Sequence, residues 1–149
     1  MIRGYFSLRS GRKRPFITAS LEFPSARRPN RHIVTDFLVD TGADRTILSP
    51  RDAEKLHGLG IEVEGLAIGP ASTGIGGSVR TRVIDAIFNL DSSAFPLTIA
   101  ILDATAGLGR SHIPSIIGRD ILDQFALFVE QRSDRILLLD ANEADALAL

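Results

Sequence analysis

The chain has no cysteine among its 149 residues, which excludes disulfides and every Cys-based metal site and fits a reducing compartment, so a cytoplasmic location is expected. It has no apolar run near the ~18 residues that a membrane span requires and no signal-peptide core before a small-residue cleavage site, so it reads as soluble, with no membrane partner. His32, His57 and His112 stand far apart without HExxH spacing; no metal is expected, and all three read as surface residues. Ser72, Ser111 and Ser115 lack a Gly-x-Ser-x-Gly elbow, which argues against a serine nucleophile. Neither GxGxxG nor a Gly-Lys-Ser/Thr loop is present, and no cofactor is expected. Excess charge is lacking too, because the formal net charge is −1, so nucleic acid is not expected as a general partner.

That near-neutrality hides an uneven distribution. Arg3, Arg9, Arg12, Lys13, Arg14, Arg27, Arg28 and Arg31 meet only Glu22 in the first stretch, and the remainder is acidic. Such a start has the composition of an arm for nucleic acid or anionic lipid, or of a transit peptide; the plainer reading is a solvated terminus and hairpin loop that complement acidic surface elsewhere. The length is that of one domain, long enough to bury about two thirds of its unfolded surface. The expected organisation is a basic segment over 1–13, a domain over 14–140 and an acidic, Ala-rich tail over 141–149, either frayed or a short helix.

Between these ends the pattern is mainly β. FITASLEF (16–23) is a β-rich run, and a polar loop over 24–31 leads to a second strand, so the two read as a hairpin with a long connection. Ser49-Pro50 with Asp52 and Glu54 starts a helix that Gly58 and Gly60 end after barely two turns. Residues 61–68 and 79–90 flank small residues at 69–78 that no core could use, which predicts a projecting β-hairpin. FPLTIAIL (95–102) is a further strand, followed by a flexible loop over 105–112. SIIGRDILDQF (115–125) switches from strand to helix at Gly118, with Asp120 and Asp123 read as helix N-terminal charges. FALFVEQRSDRILLLD closes the chain as two strands around a polar turn. Many strands, few helices and no βαβ alternation make the fold mainly β.

The most informative stretch is FLVDTGADRTILS (37–49). Ile33, Val34, Phe37, Leu38 and Val39 read as a largely buried strand that stops at Asp40, and Gly42 allows a sharp turn and close backbone approach that a Cβ would block. Asp40 is therefore expected at the mouth of a cleft. An Asp-Thr-Gly triplet alone arises by chance in about a few per cent of chains of this length.

Three segments agree in order and spacing with one family. LVDTGADRT (38–46), TGIGGSVRTRVID (73–85) and SIIGRDILDQ (115–124) resemble the catalytic loop, the flap, and the strand and helix beside that loop in the retropepsins, the single-domain aspartic proteases. RPFIT (14–18) is similar to that family's first core strand. The resemblance implies a closed or partly open β-barrel of the acid-protease fold, one lobe, with a glycine-tipped flap hairpin and a short C-terminal helix. It also implies an aspartic endopeptidase that cuts extended peptides with apolar flanking side chains.

The site residues follow from the resemblance. Asp40 would be the catalytic carboxylate, Thr41 would hydrogen-bond to its counterpart across a dyad, Gly42 would accept substrate backbone, and Ala43 and Asp44 would complete the loop. Asp44 would pair with Arg119 either as a partly buried buttress or as an ordinary surface pair. Ile117, Gly118 and Arg119 would support the loop. Gly74, Ile75, Gly76 and Gly77 would form the flap tip, and Ile47, Ile75 and Val79 would line substrate pockets. Two Asp side chains a few Å apart share one proton, one acting as base on water while the other polarises the carbonyl. The chain supplies only one such triplet, and the economical solution is a two-fold homodimer with a shared active site.

The departures from that family lie in a longer first connection, an expanded Gly-rich segment over 104–114, and a strand pair after the helix. Because of that pair, FALFV and RILLL are candidates for a different dimer sheet. A retropepsin fold used as a dimerisation or peptide-binding module with little turnover is the competing reading.

Overall fold

A computed structural model describes residues 1–9, 11–28, 30–74, 77–103 and 113–147. The chain opens with β1 (Ile2–Arg3), β2 (Tyr5–Arg9) and β3 (Arg12–Glu22), then β4 (His32–Val39) and β5 (Ile47–Leu48). Helix α1 (Pro50–Ala53) continues as a 3-10 turn over Glu54–Leu59, and β6 (Ala67–Ile68), β7 (Ser72–Gly74) and β8 (Gly77–Val79) follow. The long strands β9 (Thr81–Leu90) and β10 (Ser93–Leu102) precede β11 (Ser115–Ile117), α2 (Arg119–Leu122), β12 (Ala126–Glu130), β13 (Arg135–Leu139) and α3 (Ala141–Asp145).

The alternation of apolar residues explains the barrel. In β3, Ile17, Ala19 and Leu21 are buried between exposed or half-buried Thr18 and Ser20, so one face points inward. The large sheet runs β2-β3-β4-β11-β5-β10-β9-β6, and β3 pairs again with β9, Ser20↔Asn89 to Glu22↔Ile87. That second pairing closes the sheet on itself, so β3, β4, β11, β5, β10 and β9 encircle a core containing Leu21, Phe37, Leu48, Phe88, Ile99 and Ile117. The Phe37 and Phe88 rings meet at 5.0 Å and 56°, a tilted geometry that suits their quadrupoles. β9 and β10 join through Asp91 and Ser92, with Asp91 at φ +50, a conformation Asp tolerates in tight hairpins.

A second sheet has the order β1-β13-β12. Residues of the basic stretch 1–13 take part in it and in the large sheet. β1 pairs with β13, Ile2↔Leu138, and β2 pairs with β3 from Tyr5↔Phe16 to Arg9↔Arg12. The apolar residues Ile2, Tyr5 and Phe6, set between the charges, were the overlooked strand signal, and Lys13 is engaged by Asp134 at 2.9 Å. Gly4 passes between the two sheets so tightly that a Cβ would lie 2.5 Å from the Phe16 carbonyl oxygen. The acidic tail likewise docks. Asp140 and Glu143 form a reciprocal capping box on α3, and the N-terminal ammonium bonds Glu143, so the two termini meet. The ammonium and the Asp140 amide hold the Glu143 carboxyl below the usual carboxylate range.

The helix at 50–59 appears as expected and ends at Gly60 with φ 76. The small residues between 61–68 and 79–90 do carry a hairpin, β7 with β8. Val63–Gly65 makes a 3-10 turn closed by Leu66 N–H to the Val63 carbonyl, leaving β6 only its last residues, Ala67–Ile68. The loop expected over 105–112 lies outside the described residues. Among the described residues no helix is long and apolar enough to cross a membrane.

Phe88 is fully buried at the point where β9 meets both β3 and β10. Phe88→Ala is expected to cost about 3–5 kcal/mol, read as a lowered midpoint in denaturant titration, with an unchanged midpoint counting against this placement of the core.

Candidate active site

β4 ends where its partner β11 does, and the parallel register Leu38↔Ile116 and Val39↔Ile117 brings the Asp40 loop beside Gly118. Asp40 donates its N–H to the Ile117 carbonyl at 3.2 Å, and its own carbonyl accepts from Ala43 at 3.2 Å, closing the turn. The Gly42 N–H donates to Asp40 Oδ1 at 2.9 Å, so the loop orients its own carboxylate. Asp40 is half-buried at the barrel mouth, while Thr41 and Gly42 are exposed.

Below the loop, the chain crosses itself. The Arg119 N–H donates to the Ala43 carbonyl at 2.8 Å and the Asp120 N–H to the Asp44 carbonyl at 3.2 Å. The first amides of α2, which have no partner inside a helix, are thereby satisfied by the Asp40 loop. The fit requires glycine at 118, since a Cβ there would stand 2.5 Å from the Arg45 carbonyl carbon and oxygen and 2.9 Å from the Ala43 oxygen.

The side chain that locks this crossing is Asp120. Its carboxylate accepts from the Thr46 N–H at 2.9 Å and the Thr46 hydroxyl at 2.6 Å, and that hydroxyl accepts from the Gly118 N–H at 3.2 Å. Thr46 is completely buried. This corrects the reading of Asp120 as merely a helix charge. The contact between Asp44 and Arg119 is looser by comparison. Their single contact is 3.9 Å between side chains 90 % and 54 % exposed, and Arg119 divides its reach with Asp123 at 3.5 Å. Within one chain Asp44 and Arg119 make only this long, exposed contact, while Thr46–Asp120 braces the crossing.

Ile47 and Ile116 pair across β5 and β11, both half-buried, whereas their neighbours Leu48, Ser115 and Ile117 are buried. The two half-buried side chains share a sheet neighbourhood with the end of β4. Ile116 was not among the expected residues, although period-2 alternation around Ile117 pointed to it. Ser115 also has a role that its lack of an elbow motif did not suggest. Its hydroxyl donates to Asp52 at 2.6 Å and accepts from the Ser49 N–H at 2.9 Å, while Ser49 caps α1 through the Asp52 N–H. β11 is thus tied to the segment following the loop.

Gly74, Gly77 and Val79 lie on a separate hairpin, β7 with β8, paired Ser72↔Val79 to Gly74↔Gly77. Its root is fixed to β9 by Gly69 N–H to the Thr81 carbonyl at 3.0 Å and the Thr81 hydroxyl to the Pro70 carbonyl at 2.7 Å. Ile75 and Gly76, the expected tip, lie outside the described residues, as does His112. His57 is exposed and contacts Glu62 at 3.2 Å. Among the described residues no group of His, Cys, Asp and Glu could hold a metal ion.

A family model described as aspartyl protease matches residues 30–121, from the approach to β4 through α2. The chain belongs to the aspartyl protease family. Its fold is that of the retropepsin-like members, as two solved structures show. A retropepsin-like aspartic protease from Rickettsia conorii aligns with TM-score 0.58 and 19% identity over 91% of this chain and 87% of that one. The EIAV protease in complex with an inhibitor aligns with TM-score 0.53 and 20% identity over 78% and 92%. Among curated proteins none matches in sequence. Family membership makes this protease a peptide hydrolase.

Removing the Asp120 carboxylate strands the hydroxyl and N–H of fully buried Thr46, so Asp120→Ala is expected to destabilise this protease by about 1–3 kcal/mol. Asp44→Ala, which loses only a long, solvent-screened contact, is expected to cost less than about 1 kcal/mol. Urea titration of both variants checks the order; a larger loss from Asp44→Ala would restore it as the buttress.

Proposed function

We propose that two copies of this chain form a homodimeric aspartic endopeptidase in which each contributes Asp40 to one shared site. The observation that carries this reading is that a single chain holds half of the required chemistry. One carboxylate, oriented by Gly42, stands half-buried at a barrel mouth beside an exposed Thr41. A two-fold axis at this loop supplies the second carboxylate and a counterpart for Thr41.

With both present, the pair holds one shared proton. The ionised Asp40 takes a proton from water as that water attacks the peptide carbonyl, and the protonated one donates to the carbonyl oxygen. Substrate adds as an extended strand, its backbone supplying affinity and alternate side chains selectivity. Ile47, Ile75 and Val79, together with Ile116, which pairs with Ile47, are the aliphatic residues assigned to pockets. Gly74, Ile75, Gly76 and Gly77 are assigned to the flap, whose closure over the substrate would exclude bulk water.

Incubating the chain with a diverse peptide pool at mildly acidic and neutral pH, with mass-spectrometric readout, is expected to give cuts flanked by apolar residues. Asp40→Asn is expected to lower that rate by about 10²–10⁴-fold or more while leaving self-association unchanged. Equal cleavage by Asp40→Asn would refute the mechanism. A verified dimer that never cuts would instead favour a peptide-binding module. Activity per subunit is also expected to fall on dilution through the dimer dissociation constant, and a constant value down to a demonstrated monomer would exclude the shared site.

A further inference from the structure

We infer that this chain has a second peptide-binding site, a cleft between α1, the 3-10 turn at Val63–Gly65 and the β9–β10 ladder. Its ligand is a peptide segment that carries an arginine or lysine next to an aliphatic side chain. The site stands apart from Asp40 and does not depend on the two-subunit reading.

A cavity of about 600 Å³ opens there, within the range of about 300–1,000 Å³ usual for ligand sites. Its floor is apolar. Ile101 and Leu102 of β10, with Ala53 and Ile61, line it and are buried, and half-buried Val63 joins them. Ile101 lies opposite Arg82 in the β9–β10 ladder, and directly paired residues share a face of a sheet, so Arg82 rises beside that floor. None of the described lining residues belongs to the Asp40 loop, to β11 or to the β7–β8 hairpin.

The rim decides what fits. Glu54, Glu62, Glu64 and Asp103 bring four carboxylates to the cavity, against the guanidinium groups of Arg51 and Arg82. Arg82 is already turned to the backbone, its Nη1 donating to the Leu66 carbonyl at 2.9 Å, and His57 is engaged by Glu62 at 3.2 Å. Glu54 and Glu64 are exposed, and their carboxylates have no partner among the described residues. A phosphate or another anion meets this excess of negative charge at close range, whereas a cation is drawn to it.

Floor and rim together select the ligand. A small cation makes no use of the apolar floor, and a purely apolar ligand desolvates the carboxylates without pairing them. A lysine or arginine lays its apolar stem along such a floor while its charged head reaches the rim, and a guanidinium binds a carboxylate through two parallel hydrogen bonds. An aliphatic neighbour in the same peptide fills the rest of the floor. Peptides are also the ligands that a peptide hydrolase meets.

The test is a methyl-resolved NMR titration of the full chain carrying Asp40→Asn, which leaves the probe uncut, with the acetylated and amidated peptide Leu-Arg-Leu-Arg. Saturable shifts are expected at the methyls of Ile61, Ile101 and Leu102, with a Kd below about 1 mM. Replacing Glu54 and Glu64 together by Gln is expected to weaken binding about 10-fold or more, with an unchanged far-UV spectrum because both side chains are exposed. Exchanging the arginines of the probe for glutamines is expected to do the same. Val63→Trp, which puts a large ring at the cavity, is expected to abolish the shift at Ile101. Shifts confined to Ile47 and Ile116 would place the probe at the candidate active site instead. That result, no shift at all, or equal affinity in the Gln variant overturns the second site. Asp40-dependent cleavage by the parent chain is measured separately, so failure of this site leaves the protease reading standing, and a parent that never cuts leaves this site standing.

Discussion

Two segments more than seventy residues apart, the Asp40 loop and the start of α2, share one set of backbone hydrogen bonds, and the rest of the site depends on that sharing. The loop carbonyls of Ala43 and Asp44 would otherwise face solvent, and the amides of Arg119 and Asp120 would be orphans at a helix start. Each segment satisfies the other, at a separation that only glycine at 118 permits. Thr46 then converts a backbone contact into a lock, its hydroxyl accepting from Gly118 and donating to Asp120. A buried hydroxyl with both functions used is costly to disturb and specific in direction, which makes it a better fixing point than the exposed pair of Asp44 and Arg119.

The barrel supplies the frame on which this lock acts. β11 has only its three residues Ser115–Ile117, yet it lies parallel to β4 and against β5, so it joins the strand entering the loop to the strand leaving it. The hydroxyls of Ser49 and Ser115, buried within this frame, converge on Asp52, which Lys55 also contacts at 3.3 Å. Among the described residues no buried side-chain polar atom lacks a partner. The polar groups inside the barrel are therefore few and each ties one loop to another, leaving burial of Phe37, Phe88 and the aliphatic residues as the main stabilising term.

The sequence was legible where a residue's role is local. Asp40 and Gly42 belong to one turn, and the alternation in β3, β9 and β10 is visible within each strand. Ser49-Pro50 and Gly60 mark the helix ends by their own backbone preferences. Legibility failed where a role depends on register between distant strands. Asp120 was read as a helix charge because nothing near it in sequence indicates that Thr46 would stand against it. Ile116 and Ile117 look equivalent in the sequence, and only their sheet positions leave Ile116 half-buried and Ile117 buried. At the N-terminus charge density masks the strand pattern of Ile2, Tyr5 and Phe6, which lie on the strands paired with β13 and β3.

The route of the chain from loop to β12 has a mechanical consequence on the two-subunit reading. α2 is a single turn whose first amides hold the Asp40 loop, and β12 follows it directly. β12 is thus joined to the loop through a short, bonded element and not through a flexible linker. The isolated subunit keeps its barrel, because the closing pair β3 with β9 lies elsewhere. It nonetheless leaves Thr41 exposed and its carboxylate without a counterpart.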